Sequence, residues 1–196
     1  MADLNEILNE GVSLYGDYCG VFTDKNTFHS YANLYDEIFS GFSHIKLLEI
    51  GVHSGGSQWA WKRFFNSYEL WGVDILPDYW DNRPFVAELK ADPHIHALWN
   101  SSSTDANTYN NLPKDFDVII DDGDHNHVTQ FETIKLAWDS LKSGGIYIIE
   151  DVSSGAIADQ LREDIIPVLK GIASIKIYKL LKNGREDDVL IKLIKI

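Results

Sequence analysis

Cys19 is the only cysteine in the sequence, so no disulfide can form within the chain, and a reducing intracellular compartment is the default expectation. Its YGDYCGVF surroundings hold no histidine, which argues against a cysteine nucleophile. No apolar run approaches the roughly 18 residues of a membrane span. The opening MADLNEILNE lacks the basic and apolar segments of a secretory signal. The expected location is cytoplasmic. Basic residues are scarce as well: 17 Lys and Arg stand against 30 Asp and Glu, a net charge of −13. Such a surface repels phosphate backbones and anionic lipid. No basic patch overrides it, because Asp164, Glu186, Asp187 and Asp188 interrupt the run Lys170, Lys176, Lys179 and Lys182. Neither nucleic acid nor membrane is therefore expected as a partner. Internal repeats, low-complexity tracts and interdomain linkers are also missing, and 196 residues fit one domain.

What is present is core material, 44% hydrophobic and 12% aromatic residues, enough to fold without staples. DLNEILNEG predicts a short helix. TFHSYANLYDEIFSGF predicts a second, capped by Asn26 or Thr27 and ended near Gly41, with Phe28, Tyr31, Leu34, Tyr35, Ile38 and Phe39 at helical spacing. Strands and helices then alternate. Strands are expected at 45–51, 68–75, 94–100, 115–121 and 146–151. Between them lie SGGSQWAWKRFF, a short helix after Pro84, another opening at Thr104 or Asp105, and VTQFETIKLAWDSLK, whose Val128, Phe131, Ile134, Leu136, Ala137, Trp138 and Leu141 suggest a broad buried face. Ser143, Gly144 and Gly145 are expected to turn the chain into IYIIED, and Pro167 to end or bend the last helix. Two branched apolar segments around Asn183 and Gly184 suggest an antiparallel hairpin. This order predicts a three-layer α/β sandwich with a mostly parallel sheet and an antiparallel edge.

The first strand ends in LLEIG and runs through Val52, His53, Ser54, Gly55, Gly56 and Ser57 into a helix. Glycines there allow a tight turn and close approach by a ligand, beside the unpaired N–H groups of the helix start. A purely structural turn explains the same residues. Asp74 closes the second strand, where a carboxylate can accept from ribose hydroxyls. No Gly-Lys-Ser/Thr ending marks a P-loop, and His53 replaces the second glycine of a dinucleotide fingerprint. A nucleoside without pyrophosphate suits the loop better. After the third strand, Ser102, Ser103 and Asp105 are candidates for adenine contact, with helix capping as the alternative for Asp105.

The segment DVIIDDGDHNH brings Asp121 and Asp122 to one strand end, and IYIIED brings Glu150 and Asp151 to the next. Each could cap a helix or face solvent; two acidic pairs at adjacent strand ends can also bind Mg²⁺ or a similar cation. His125, three residues after Asp122, is a candidate general base. His127 reads as a loop residue.

LLEIGVHSGGS and GVDI resemble the first two cofactor-binding motifs of class I S-adenosylmethionine-dependent methyltransferases. Asp122, Gly123, Asp124 and His125, followed by Glu150 and Asp151, resemble more closely the macrocin and mycinamicin sugar O-methyltransferases and the cephalosporin-hydroxylase-like group. The resemblance implies a Rossmann-like three-layer α/β/α fold with a seven-stranded sheet. It also implies S-adenosyl-L-methionine as cofactor, with its methionine part along Glu49, Gly51, His53, Gly55 and Ser57, its ribose at Asp74 and its adenine by Ser102, Ser103 and Asp105, Asp121 being grouped with these contacts. Mg²⁺ or Mn²⁺ would be held by Asp122, Glu150 and Asp151, with His125 and Asp122 catalytic. TDKNTFHSYANLY resembles an N-terminal cofactor-site or lid segment, which adds Thr23, Asp24, Lys25 and Tyr31 as cavity residues and divides the chain into a helical lid segment, 1–40, and a core, 41–196. The implied activity is O-methylation of a small-molecule hydroxyl, such as that of a sugar or glycosylated metabolite. A homo-oligomer is an open option; the aromatics Tyr15, Tyr18, Trp80 and Phe85 could line a substrate lid or a subunit contact, with a structural role as the equal alternative. A metal hydrolase using Asp122, His125 and Glu150, or a non-enzymatic nucleoside-binding module, are the alternatives; S-adenosylmethionine binding with methyl transfer separates them.

Overall fold

The computed structural model describes residues 3–16, 22–77, 85–181 and 184–196. Cys19, Tyr18, Trp80, the helix start at Pro84, Lys182 and the hairpin turn at Asn183 lie outside the described residues. Those described contain seven α-helices, a 3-10 turn at Trp138–Ser140 and seven strands, strands and helices alternating from β1 to α7 as expected: α1 (Leu4–Tyr15), α2 (Ala32–Phe39), β1 (Ile45–Ile50), α3 (Gly56–Phe64), β2 (Tyr68–Val73), α4 (Val86–Lys90), β3 (Ile95–Leu98), α5 (Ala106–Asn110), β4 (Phe116–Asp121), α6 (His127–Ala137), β5 (Leu141–Ile149), α7 (Gly155–Ile165), β6 (Ile172–Lys179) and β7 (Val189–Lys195). The sheet order is β3-β2-β1-β4-β5-β7-β6. Its first five strands run parallel, while β7 is antiparallel to both β5 and β6. This is a Rossmann-like methyltransferase fold with a C-terminal antiparallel hairpin.

Both sheet faces are covered, so the central strands read as continuous apolar runs rather than alternating ones. One face buries Leu47, Leu70, Val118 and Ile148 beneath α1 to α4, with Tyr35, Phe39, Trp59, Trp61 and Phe64 as the aromatic fill. The opposite face buries Leu48, Ile50, Ile119 and Ile149 beneath α5, α6 and α7. Phe85 belongs to the first layer, 2% exposed and 5.0 Å from the Tyr15 ring, the structural one of its two readings.

Four local expectations are corrected. The second helix begins at Ala32, not near Thr27, because Thr27 and His29 donate their N–H groups to Asp24 O and Tyr31 donates to Lys25 O. Those turns send side chains of this stretch down to the sheet's ligand edge. In α6 the buried face is partly polar: Val128 is 65% exposed, whereas Gln130 is buried and donates to Glu150 O. His127 is the first residue of that helix and meets Asp164 at 2.9 Å. Finally, Ser143 to Gly145 lie inside β5 as an irregularity, since Phe116 pairs with Leu141 but Val118 with Ile146.

Candidate active site

Because β1, β2, β4 and β5 are parallel and adjacent, their C-terminal ends open on one edge, the place where open α/β sheets bind ligands. A cavity of about 510 Å³ lies there. It runs from Asp74 after β2, across Gly51 after β1, to Asp122 after β4 and Asp151 after β5. Gly51 has φ +86°, and a Cβ there would stand 2.0 Å from Asp122 O. Only glycine lets the β1 loop pass this close to the end of β4.

The loop beyond Gly51 is pinned sideways. His53, in the left-handed region at φ 41°, donates its N–H to Asp74 Oδ2 at 2.7 Å, and Leu76 N–H donates to Oδ1 at 2.9 Å. Asp74 is therefore a loop clasp that also lines the cavity, with a further lone pair on each oxygen. Ser102 and Ser103 also line it; Ser103 Oγ accepts from Thr133 at 2.9 Å. Asp105 is exposed, outside the lining, and caps α5 by accepting from Asn107 N–H at 2.9 Å.

Several residues grouped with the cofactor sit behind this wall. Glu49 is fully buried, and its Oε2 accepts from Ser57 Oγ and Gln58 Nε2, both at 2.8 Å. Burial pushes its carboxyl upward, against the pull of Lys25. Gly55 is the left-handed residue preceding α3. Asp121 is 2% exposed, and burial pushes its carboxyl up to about 7. Thr23, Lys25 and Tyr31 are likewise buried and outside the lining, while their neighbour Asp24 lines the cavity.

The acidic strand ends converge around His125. Asp122 Oδ1 lies 3.2 Å from His125 Nε2, and Asp151 Oδ2 lies 3.7 Å from Nδ1. Burial opposes charge on this ring, but Asp122, Asp151 and Asp121 outweigh it and push the imidazole up to about 9. Burial also opposes charge on Asp122, yet Lys25 and His125 hold its carboxyl well below the usual range. At Asp151, burial and Asp122 push the carboxyl up to about 6. His125 and Asp151 both have positive φ, 55° and 50°, a costly backbone state held by their surroundings.

Asp122, His125 and Asp151 each offer a ligand atom, all within 4.8 Å of one another. Two cavity-facing carboxylate oxygens and one imidazole suit a hard divalent cation, with room left for water or an oxygen substrate. Glu150 stands behind them, 1% exposed, its Oε1 accepting from Tyr35 and its Oε2 from Lys25. A second set within the same span is Asp24, His29 and Asp151. His29 and Tyr35 were not legible as site residues. Tyr35 reads as one more apolar helix position, although a buried tyrosine hydroxyl needs a partner, and that was the available signal.

A family model described as a methyltransferase domain matches residues 48–152, from the second half of β1 to just past Asp151. The 8-demethyl-8-alpha-L-rhamnosyl tetracenomycin-C 2'-O-methyltransferase of Streptomyces olivaceus is 29% identical over 162 residues, 73% of this chain and 40% of that protein. The mycinamicin VI 2''-O-methyltransferase of Micromonospora griseorubida is 29% identical over 144 residues, 67% of this chain and 34% of its own length. The chain thus spans less than half the length of the curated relatives it matches. Among solved structures, the MycE methyltransferase of the mycinamycin biosynthetic pathway, in complex with Mg and SAH, superposes with a TM-score of 0.73 at 21% identity, covering 99% of this chain and 55% of that one. The SAH-bound Podospora anserina methyltransferase PaMTH1 gives a TM-score of 0.65 at 15% identity, over 100% of this chain and 88% of the other. These structural likenesses establish the fold. Since the matched residues make up more than half of the sequence and contain the glycine loop, Asp74 and the Asp122 to His125 turn, the chain belongs to the methyltransferase-domain family.

Proposed function

We propose that the chain is the core of an S-adenosylmethionine-dependent, divalent-metal-dependent O-methyltransferase acting on a hydroxyl of a small glycosylated molecule. The observation that carries this reading is the meeting of Asp122, His125 and Asp151 at the opposite end of one cavity from Asp74. The acceptor class follows from the relatives, whose names specify hydroxyls of sugar-bearing metabolites. A net charge of −13 argues against a nucleic-acid acceptor. Single-cysteine usage favours the cytoplasm, and whether copies of the chain associate belongs to the same open proposal.

In this reading Asp74 accepts from the cofactor ribose, Ser102 and Ser103 border the adenine, and Gly51 leaves room for the methionine part. Asp122 accepts from His125 Nε2–H and so fixes the ring, leaving Nδ1 to take the acceptor's hydroxyl proton. The freed oxygen lone pair attacks the methyl carbon as the carbon–sulfur bond breaks, giving a methyl ether and neutral S-adenosylhomocysteine. A divalent ion held by Asp122 and Asp151, with Glu150 behind, would supply positive charge beside the acceptor oxygen and offset the carboxylate charge that keeps the ring protonated. Holding the two reactants in line accounts for much of the acceleration.

Titration calorimetry with S-adenosylhomocysteine, followed by transfer of labelled methyl from S-adenosylmethionine to a panel of rhamnosides with Mn²⁺ or Mg²⁺, tests the reading. Binding plus metal-dependent transfer is expected. Failure to bind S-adenosylhomocysteine would remove it.

A further inference from the structure

Four residues from one short stretch, Lys25, His29, Tyr31 and Tyr35, are at most 2% exposed, and none of them lines the cavity. All four direct polar atoms at the strand-end carboxylates. Lys25 Nζ bonds Asp122 Oδ2 at 2.7 Å and also Glu150 Oε2. Tyr35 OH donates to Glu150 Oε1, and Tyr31 OH donates to Asp151 Oδ1 at 2.6 Å. His29 Nδ1 lies 3.3 Å from that same Asp151 oxygen. The stretch is itself anchored from the hairpin side, since Ser30 gives its N–H and its hydroxyl to the buried Asp188 at 3.0 and 2.7 Å.

The division of oxygens is consistent at Asp122 and Asp151. Each turns one oxygen inward to the N-terminal stretch and the other toward His125. Glu150 is held at both oxygens, by Tyr35 and by Lys25, and so ties Tyr35 to the Lys25–Asp122 pair. We infer that residues 25–35 form the outer coordination shell of the metal site, with Lys25 and Tyr31 positioning Asp122 and Asp151 directly and Tyr35 acting on them through Glu150 and Lys25, rather than a lid over the cofactor. The inference rests on the metal reading above. Outer-shell hydrogen bonds fix ligand orientation, and their loss usually weakens metal binding by about 10- to 100-fold. A tyrosine hydroxyl is the cleanest one to remove, because Phe preserves the ring packing.

The test uses the full chain saturated with S-adenosylhomocysteine and titrated with Mn²⁺, comparing wild type with Tyr31→Phe and Tyr35→Phe. Each variant is expected to bind Mn²⁺ about 10- to 100-fold more weakly, with S-adenosylhomocysteine affinity unchanged. Hydrogen exchange of the amides in 25–35 is expected to slow in wild type when Mn²⁺ is added, a readout that carries the decision should a variant fail to fold. Wild type that binds Mn²⁺, with both variants equal to it or with exchange of 25–35 unaltered, overturns the outer-shell role alone. Wild type that binds S-adenosylhomocysteine but no Mn²⁺ overturns the metal reading and this inference together. A loss of S-adenosylhomocysteine affinity in the variants with Mn²⁺ binding intact would instead restore the cofactor-lid role.

Discussion

The backbone N–H of His53 reaches Asp74 Oδ2 at 2.7 Å, tying the loop after β1 to the end of β2. One carboxylate thereby shapes the loop and lines the cavity. Asp74→Ala should weaken S-adenosylhomocysteine binding by roughly 1 to 3 kcal/mol through lost charge-assisted hydrogen bonds, and should lower the thermal midpoint as the clasp opens. Calorimetry and thermal unfolding on the same sample measure both; unchanged affinity would count against the ribose contact.

Gly51→Ala should be harmful for two separate reasons. The residue sits at φ +86°, and its new methyl would collide with the backbone of Asp122 at 2.0 Å. Overpacking of this kind costs about 1 to 3 kcal/mol, with the backbone conformation adding a comparable amount. Urea denaturation should report the loss, and a stability within error of wild type would show that the β1 loop relaxes freely.

His125→Ala should cut methyl-transfer turnover by about 10²- to 10⁴-fold while sparing S-adenosylhomocysteine binding. The sign of the pH effect follows from the ring's raised pKa of about 9. A charged imidazole cannot accept, so wild-type single-turnover rates at saturating metal should climb with pH through the ring's titration, which the ion, by offsetting the carboxylate charge, moves below the metal-free value of about 9. The slope should vanish in the variant. A pH-independent wild type, or a variant retaining its rate, would leave activation of the acceptor to the carboxylate site.

Asp92 supplies an acid-stability signature away from the site. Burial disfavours its charge, but Lys62, the Tyr68 hydroxyl at 2.7 Å and His94 N–H at 3.0 Å outweigh that and lower the carboxyl to about 2. A carboxyl depressed below its unfolded value of about 3.9 stabilises the fold above that pH, and the contribution fades as pH falls toward 2. Asp92→Asn should therefore lower the urea midpoint at pH 7 and flatten its decline between pH 4 and 2. Parallel wild-type and variant curves over that range would refute the assignment.

The strand-rich half was readable because buried parallel strands write themselves as apolar runs, and the glycine loop, Asp74 and the two acidic pairs fall at their ends. Less accessible was anything fixed by partners far along the chain. Lys25 meets Glu150 across 125 positions, a pairing that the local spacing of 23–35 does not announce. Gln130 is buried and Val128 exposed because the end of β5 offers the Glu150 carbonyl to α6. Glu49 and Ser57 look like cavity residues in a motif, yet they bond each other beneath it, a distinction set by which way the β1 side chains alternate.

The sheet order carries a kinetic consequence. β7 is the latest strand in the chain, yet it lies between β5 and β6 and is hydrogen-bonded to both. Until it inserts, β6 has no neighbour in the sheet and β5 shows a bare edge, with the apolar side chains of both exposed. Such unpaired edges favour association between partly folded copies. Refolding yield should therefore be governed by concentration during the interval before β7 docks, and the hairpin is the element whose weakening turns a stability defect into aggregation.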